Sequence, residues 1–161
     1  MYWSLGVAAG LITITIIIRR RRVKQRNSKK VQNWLQPVKA KITSGFGYRT
    51  DPKTGKAGVF HNGIDLAVPV GTAIKAPMDG TVSLVNSGGD GGNQVVIKHS
   101  NGYSTGYAHL SKQLVKKGDK VKRGNVIALS GNTGKSTGPH LHFTMTDPSG
   151  AKVDPKKRLL I

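Results

Sequence analysis

From about Pro37 onward, short runs of alternating or β-branched residues are punctuated by Gly, Asn-Gly and Asp-Gly, a texture that predicts strands joined by tight turns. Asp79-Gly80 leads into the strand-like Thr81–Val85, and Gln94–His99 is rich in valine and isoleucine. Asn101-Gly102 then turns the chain into Tyr103–His109. The pattern predicts a meander of antiparallel strands. Val121, Val126–Leu129 and His140–Thr146 supply further strands, and no segment after Pro37 carries a convincing helical period. The expected fold class is all-β, an antiparallel, sandwich-like sheet domain over residues 37–161.

The N-terminal part has a different pattern. Residues 1–18 contain no charged side chain, and Leu11–Ile18 is almost wholly apolar. As a helix this stretch would extend about 27 Å, enough to cross a hydrocarbon core of roughly 30 Å. No basic region precedes it, and its small residues Ala8–Gly10 come before the most apolar part, so a transmembrane anchor is expected rather than a cleaved signal peptide. Gly6 and Gly10 form a lone small-xxx-small pair, which is weak evidence for helix pairing. Residues 19–36 read as a basic linker, with eight Lys and Arg between Arg19 and Lys30.

Charge narrows the partners. The chain has 26 Lys and Arg against 7 acidic residues, a formal +19. Removing the eight basic residues of the linker still leaves +11. Such a surface favours polyanions: wall polymers, anionic lipid headgroups beside the anchor, or nucleic acid as the less favoured partner. With no cysteine, disulfides and thiolate metal sites are excluded, and any metal must sit on His and carboxylate.

The five histidines carry the candidate chemistry. In His140-Leu141-His142-Phe143 the two imidazoles leave one face of a strand, while Leu141 and Phe143 leave the other. In His61-Asn62-Gly63-Ile64-Asp65 an extended strand would hold the ends roughly 13 Å apart, too far to share an ion. Gly63 permits a bend that brings an imidazole and a carboxylate together. Two imidazoles and one carboxylate leave the fourth tetrahedral position of zinc open for water, as a catalytic site requires. Alone, the His-x-x-x-Asp spacing means little, and His109 alone reads as a hydrogen-bonded strand residue. Their coincidence in one glycine-rich β domain is what gives them weight. His99 has no place in this scheme and is assigned a structural role.

The chain resembles the lysostaphin and LytM type of zinc peptidoglycan endopeptidases. The likeness runs through Ser44–Arg49, His61–Asp65, Gly92–Ile97, Tyr107–Leu110, Thr133–Phe143 and Val153–Pro155, in the family's order, covering about residues 37–158. It implies that His61, Asp65 and His142 bind one Zn2+ and that His140 and His109 are the catalytic pair. The implied activity is hydrolysis of peptide crosslinks in bacterial peptidoglycan. Where many relatives have Glu, this chain has Thr144, which strand alternation places on the His142 face as a candidate acceptor for a ligand imidazole.

Other readings give way. Ala76–Val82 and Val115–Gly124 resemble hairpins of biotinyl and lipoyl carriers, but Ser130–Lys135 lacks the setting of a cofactor-bearing lysine. Gly134-Lys135-Ser136 fails as a phosphate loop because Leu129 stands where Gly is needed. The remaining alternative is a non-catalytic wall-binding or hydrolase-activating domain, or a structural virion membrane protein. Positive charge on the C-terminal flank of the anchor would keep the domain in the cytoplasm of a bacterium. A bacteriophage virion membrane fits a wall hydrolase better, with the bacterial inner membrane as the alternative.

Overall fold

The computed structural model describes residues 34–160. The anchor at 1–18 and the linker up to Asn33 lie outside the described residues. Among the described residues no helix is long and apolar enough to cross a membrane.

Twelve short strands follow one another: β1 (Ile42–Ser44), β2 (Gly47–Arg49), β3 (Val59–His61), β4 (Ile64–Ala67), β5 (Ala73–Lys75), β6 (Gly80–Asn86), β7 (Asn93–His99), β8 (Ser104–Gln113), β9 (Lys120–Val121), β10 (Val126–Ser130), β11 (His140–Thr146) and β12 (Lys152–Val153). The one helical element among the described residues is a 3-10 turn, Pro155–Lys157, where the Asp154 side chain accepts from Lys156 N. The all-β antiparallel expectation holds, and β6, β7 and β8 form the meander. Its sandwich-like character takes the form of one branched sheet. The path runs β1-β4-β11-β8-β7-β6-β9, while β10 joins the far end of β8 to β5, and β12 pairs with β11. Strand β8 runs four residues beyond the expected His109 and so serves both branches. β2 and β3 form a separate two-stranded ribbon.

Alternation decides which face holds the core. Along β11, Leu141, Phe143 and Met145 are fully buried, while His140, His142, Thr144 and Thr146 line the more open face. Ile64 and Leu66 of β4, Val95 and Ile97 of β7, and Tyr107 of β8 complete the same apolar layer. Because side chains alternate with period 2, burying one set fixes the other set outward.

The packed unit already includes Trp34, Leu35 and Gln36, which the sequence assigns to the linker. Trp34 is fully buried, and its carbonyl accepts from Leu160 N at 3.0 Å. Its ring meets His99 and Tyr103 edge-on at 4.8 and 5.8 Å. A large aromatic amid polar neighbours looks like linker in the sequence, because its partners come from residues 65 and more positions away. The indole Nε1–H finds no hydrogen-bond acceptor among the described residues, so Trp34 is held by packing. His99 has the structural role expected of it: Nδ1–H donates to the Asp79 carbonyl at 2.9 Å, and Nε2 meets Thr105 Oγ1 at 2.8 Å.

Trp34→Ala should destabilise the protein by about 3–5 kcal/mol, read as a lower urea midpoint, since it empties a closed aromatic site. Burial also holds the His99 pKa below the ordinary 6.5. Protons then bind the unfolded chain more readily than the folded one, so stability is complete above about pH 6.5 and falls as pH drops below it. In His99→Gln that share of the acid loss should disappear, seen by comparing midpoints at about pH 7.5 and 5.5 with those of the parent.

Candidate metal centre

Strand pairing brings the sequence-predicted ligands together. β11 lies against β4 with His142 opposite Asp65, and His61 ends β3 just before the bend at Asn62-Gly63. Gly63 is needed chiefly for space. Its φ is not positive, but an added Cβ would sit 2.4 Å from the Phe143 carbonyl and 3.0 Å from His142 Cε1. Only glycine lets the bend run this close to β11.

His61 Nε2, His142 Nδ1 and Asp65 Oδ1 form a small triangle. The edges are 3.1 Å between the imidazoles, 2.8 Å from His142 to Asp65, and 3.2 Å from His61 to Asp65. Hydrogen bonds on the far side of each ring fix its tautomer. His61 Nδ1–H donates to the Gly45 carbonyl at 2.6 Å, and His142 Nε2–H donates to Asn62 Oδ1 at 3.1 Å. The remaining nitrogen of each ring therefore faces the other ring and a carboxylate oxygen. Something positive has to sit among them. An extra proton satisfies one edge of the triangle, whereas a metal ion satisfies all three corners. Ligand atoms bound to a tetrahedral zinc stand about 3.3 Å apart, so the triangle fits such an ion. Burial opposes the charge on Asp65, but hydrogen bonds and charge from His142 and His61 outweigh it and hold the carboxyl well below the usual range.

His109 and His140 stand beside the triangle, their rings 4.7 Å apart and the His109 ring 6.0 Å from that of His142. His140 follows from alternation, but His109 does not. Strict alternation from Thr105 and Tyr107 would send it into the core. A bulge prevents this: between the Asn93↔Leu110 and Val95↔Tyr107 pairs, Ala108 and His109 together face Gln94. His109 has φ +61°, left-handed backbone that costs a non-glycine residue about 1–3 kcal/mol. Its amide donates to the Gly91 carbonyl and its Nδ1–H to the Thr133 carbonyl, both at 2.8 Å. Those two loops meet where Gly92 and Gly134 touch; a Cβ on Gly134 would lie 2.3 Å from Gly92 N. Burial, foremost, holds the His109 pKa below its ordinary value. His140 Nδ1–H donates to the Gly138 carbonyl at 2.7 Å, with Ser136 Oγ at 3.2 Å. Both rings thus turn Nε2 away from these anchors, that of His140 lying 3.8 Å from Asp65 Oδ1.

The expectation for Thr144 needs correcting. It lies on the His142 face, but no hydrogen bond joins it to either ligand imidazole. It fills space beside Gly63 and Gly106, and Asn62 is the acceptor that orients His142. The signal for Asn62 was present, since it adjoins His61 in the motif itself. The Gly45, Thr133 and Gly138 carbonyls carry no sequence signal, because every residue has one. Arg49, in the quoted Ser44–Arg49 segment, places Nη2 3.6 Å from Asp65 Oδ2.

The whole group opens into a cleft of about 480 Å³ lined by β7, β8 and β11 and by the loops around residues 51–53, 90–91 and 135–137. Its imidazole and carboxylate donors suit a metal ion, and its two further imidazoles suit proton transfer beside one.

Comparison with known proteins gives the same picture. The chain is 47% identical over 124 residues to peptidoglycan DD-endopeptidase ShyA of Vibrio cholerae, covering 74% of this chain and 29% of that protein. It therefore spans less than a third of the length of this relative. A crystal structure of a zinc-containing peptidase from Vibrio cholerae superposes with a TM-score of 0.68 at 45% identity, over 76% of this chain and 38% of that one. The catalytic domain of lysostaphin from Staphylococcus simulans gives 0.65 at 36% identity, over 73% of this chain and 90% of that domain. The family model for peptidase family M23 matches residues 59–155, more than half of the 161 residues and the span holding all five site side chains. The chain belongs to peptidase family M23.

Proposed function

We propose that residues 34–160 form a zinc-dependent endopeptidase that hydrolyses peptide crosslinks of bacterial peptidoglycan. The observation that carries this reading is the triangle of lone pairs on His61, Asp65 and His142, with two further imidazoles at its side. The names of ShyA and of the DD-carboxypeptidase/endopeptidase Mpg of Neisseria meningitidis, 45% identical over 108 residues, support a bond between two D-centres as the target. The membrane anchor, its lipid contact and the phage setting rest on the sequence pattern alone.

When bound, zinc would polarise the scissile carbonyl and make water more acidic. The chain supplies the rest. Gly45 and Asn62 hold His61 and His142 in the tautomers that face the ion, which keeps the ligands preorganised. Tied through Nδ1 to Thr133 and Gly138, the His109 and His140 rings offer Nε2 for proton transfer. After protonation the same atom becomes a donor to the developing oxyanion or the leaving amine. The fixed loops hold these atoms in place without further rearrangement, so little orientation entropy remains to be lost.

Incubating the full chain with defined crosslinked muropeptides should yield the two uncrosslinked stems by mass spectrometry, and a chelator should stop the reaction. His142→Ala should lose stoichiometric zinc and reduce turnover by about a hundred- to a thousandfold, the range set by removing a principal electrostatic contributor. Cleavage that is unchanged by both treatments would overturn the enzyme reading. Gly63→Ala should weaken zinc binding in a chelator competition at least about tenfold, because the bend must retreat from β11 and carry His61 with it.

A further inference from the structure

We propose that Arg49 recognises a substrate carboxylate, one borne by the carbon bonded to the scissile nitrogen. The inference rests on the endopeptidase reading and specifies which crosslinks the site accepts.

Arg49 ends β2, and the ribbon presents it by alternation. On one face Tyr48 stacks edge-on against Phe60 at 5.1 Å, and Phe46 meets the other side of Phe60 at 5.1 Å. That aromatic row stiffens the back of the ribbon, so Arg49 on the opposite face is aimed into the cleft. Its Nη2 lies 3.6 Å from Asp65 Oδ2, while Oδ1 of the same carboxylate faces the imidazoles. At that distance the pair is electrostatic, not hydrogen-bonded. The Arg49 side chain makes no hydrogen bond to any described residue and is 31% exposed. A guanidinium beside the metal centre therefore keeps a planar fork of donors for something else, and that fork matches a carboxylate.

The rest of the cleft has the same preference. Lys53, Lys135 and Lys152 line it with Arg49, four cations against the three acids Asp51, Asp65 and Asp90. Asp51 Oδ1 accepts from the Lys53 and Thr54 amides at 2.7 and 2.9 Å, which holds that oxygen in its own loop while keeping the carboxylate ionised. A net-cationic groove favours anionic peptides over neutral ones. In a crosslink between two D-centres, the carbon attached to the scissile nitrogen carries a free carboxylate. The interior of a glycine bridge has none. Hydrolysis adds water across the amide, giving a new carboxylate on one side and the freed amine on the other, and the recognised carboxylate is untouched.

The test uses the full chain loaded with zinc and two crosslinked dimers that differ only in whether that carboxylate is free or amidated. The parent should cleave the free form with kcat/KM about ten- to a hundredfold higher, the range for one charge-assisted hydrogen-bonded contact. Arg49→Gln should bring the two substrates level, mainly through KM on the free form, with zinc content unchanged by metal analysis. Arg49→Lys, which keeps charge and loses the fork, should recover only part of the preference. Equal rates by the parent would overturn the proposal. So would an Arg49→Gln protein that loses zinc or slows equally on both dimers, since Arg49 would then only position Asp65. A parent that holds zinc and cleaves neither dimer refutes the endopeptidase reading, and the inference with it.

Discussion

The register of β11 against β4 is the constraint on which the site depends. It sets His142 opposite Asp65, and one residue of slip would exchange the site face for the core face along the whole strand. The register is held from below, where Leu141, Phe143 and Met145 are fully buried beside Ile64 and Leu66. Hydrophobic burial thus fixes the position of a polar constellation that would otherwise repel itself. Three facing lone pairs are unfavourable without a cation, and only a packed strand pair keeps them 2.8–3.2 Å apart.

The His109 side of the cleft is built differently, from strain and loop contact. His109 reaches the cleft only through a bulge and a left-handed backbone, whose cost is offset by hydrogen bonds to Gly91 and Thr133. Those loops meet at Gly92 and Gly134, where neither position has room for a side chain. A residue held in costly geometry by two glycine-lined loops is preorganised, and it cannot relax without separating the loops. The metal side and the imidazole side therefore stay rigid for separate reasons, one through core packing and one through backbone contact.

Electrostatics links the two sides. Asp65 remains ionised despite burial because hydrogen bonds and charge from His142 and His61 outweigh desolvation. The same surplus of positive charge that the whole sequence displays reappears around the cleft, where Arg49 and three lysines outnumber the acids. Under the proposed function, general basicity would attract a polyanionic wall, and the placement of Arg49 would turn that attraction into a choice among crosslinks.

Much of this was legible in the amino-acid order. Period-2 alternation determined an antiparallel β domain, gave β11 its boundaries at His140 and Thr146, and put His140 and His142 on one face. These are local consequences of strand geometry, so neighbouring residues suffice to read them. Trp34 looked like linker, Thr144 looked like a candidate acceptor for a ligand imidazole, and the catalytic part implied for His109 came with no account of how its ring is held. Only the tertiary structure decided these points. Each of those outcomes depends on groups far along the chain: Leu160 N on the Trp34 carbonyl, Gly91 and Thr133 on His109, and Asn62 on His142. Backbone carbonyls and close backbone approaches leave no residue-type signature, and so the sequence named the candidate ligands while the fold determined how each one is held.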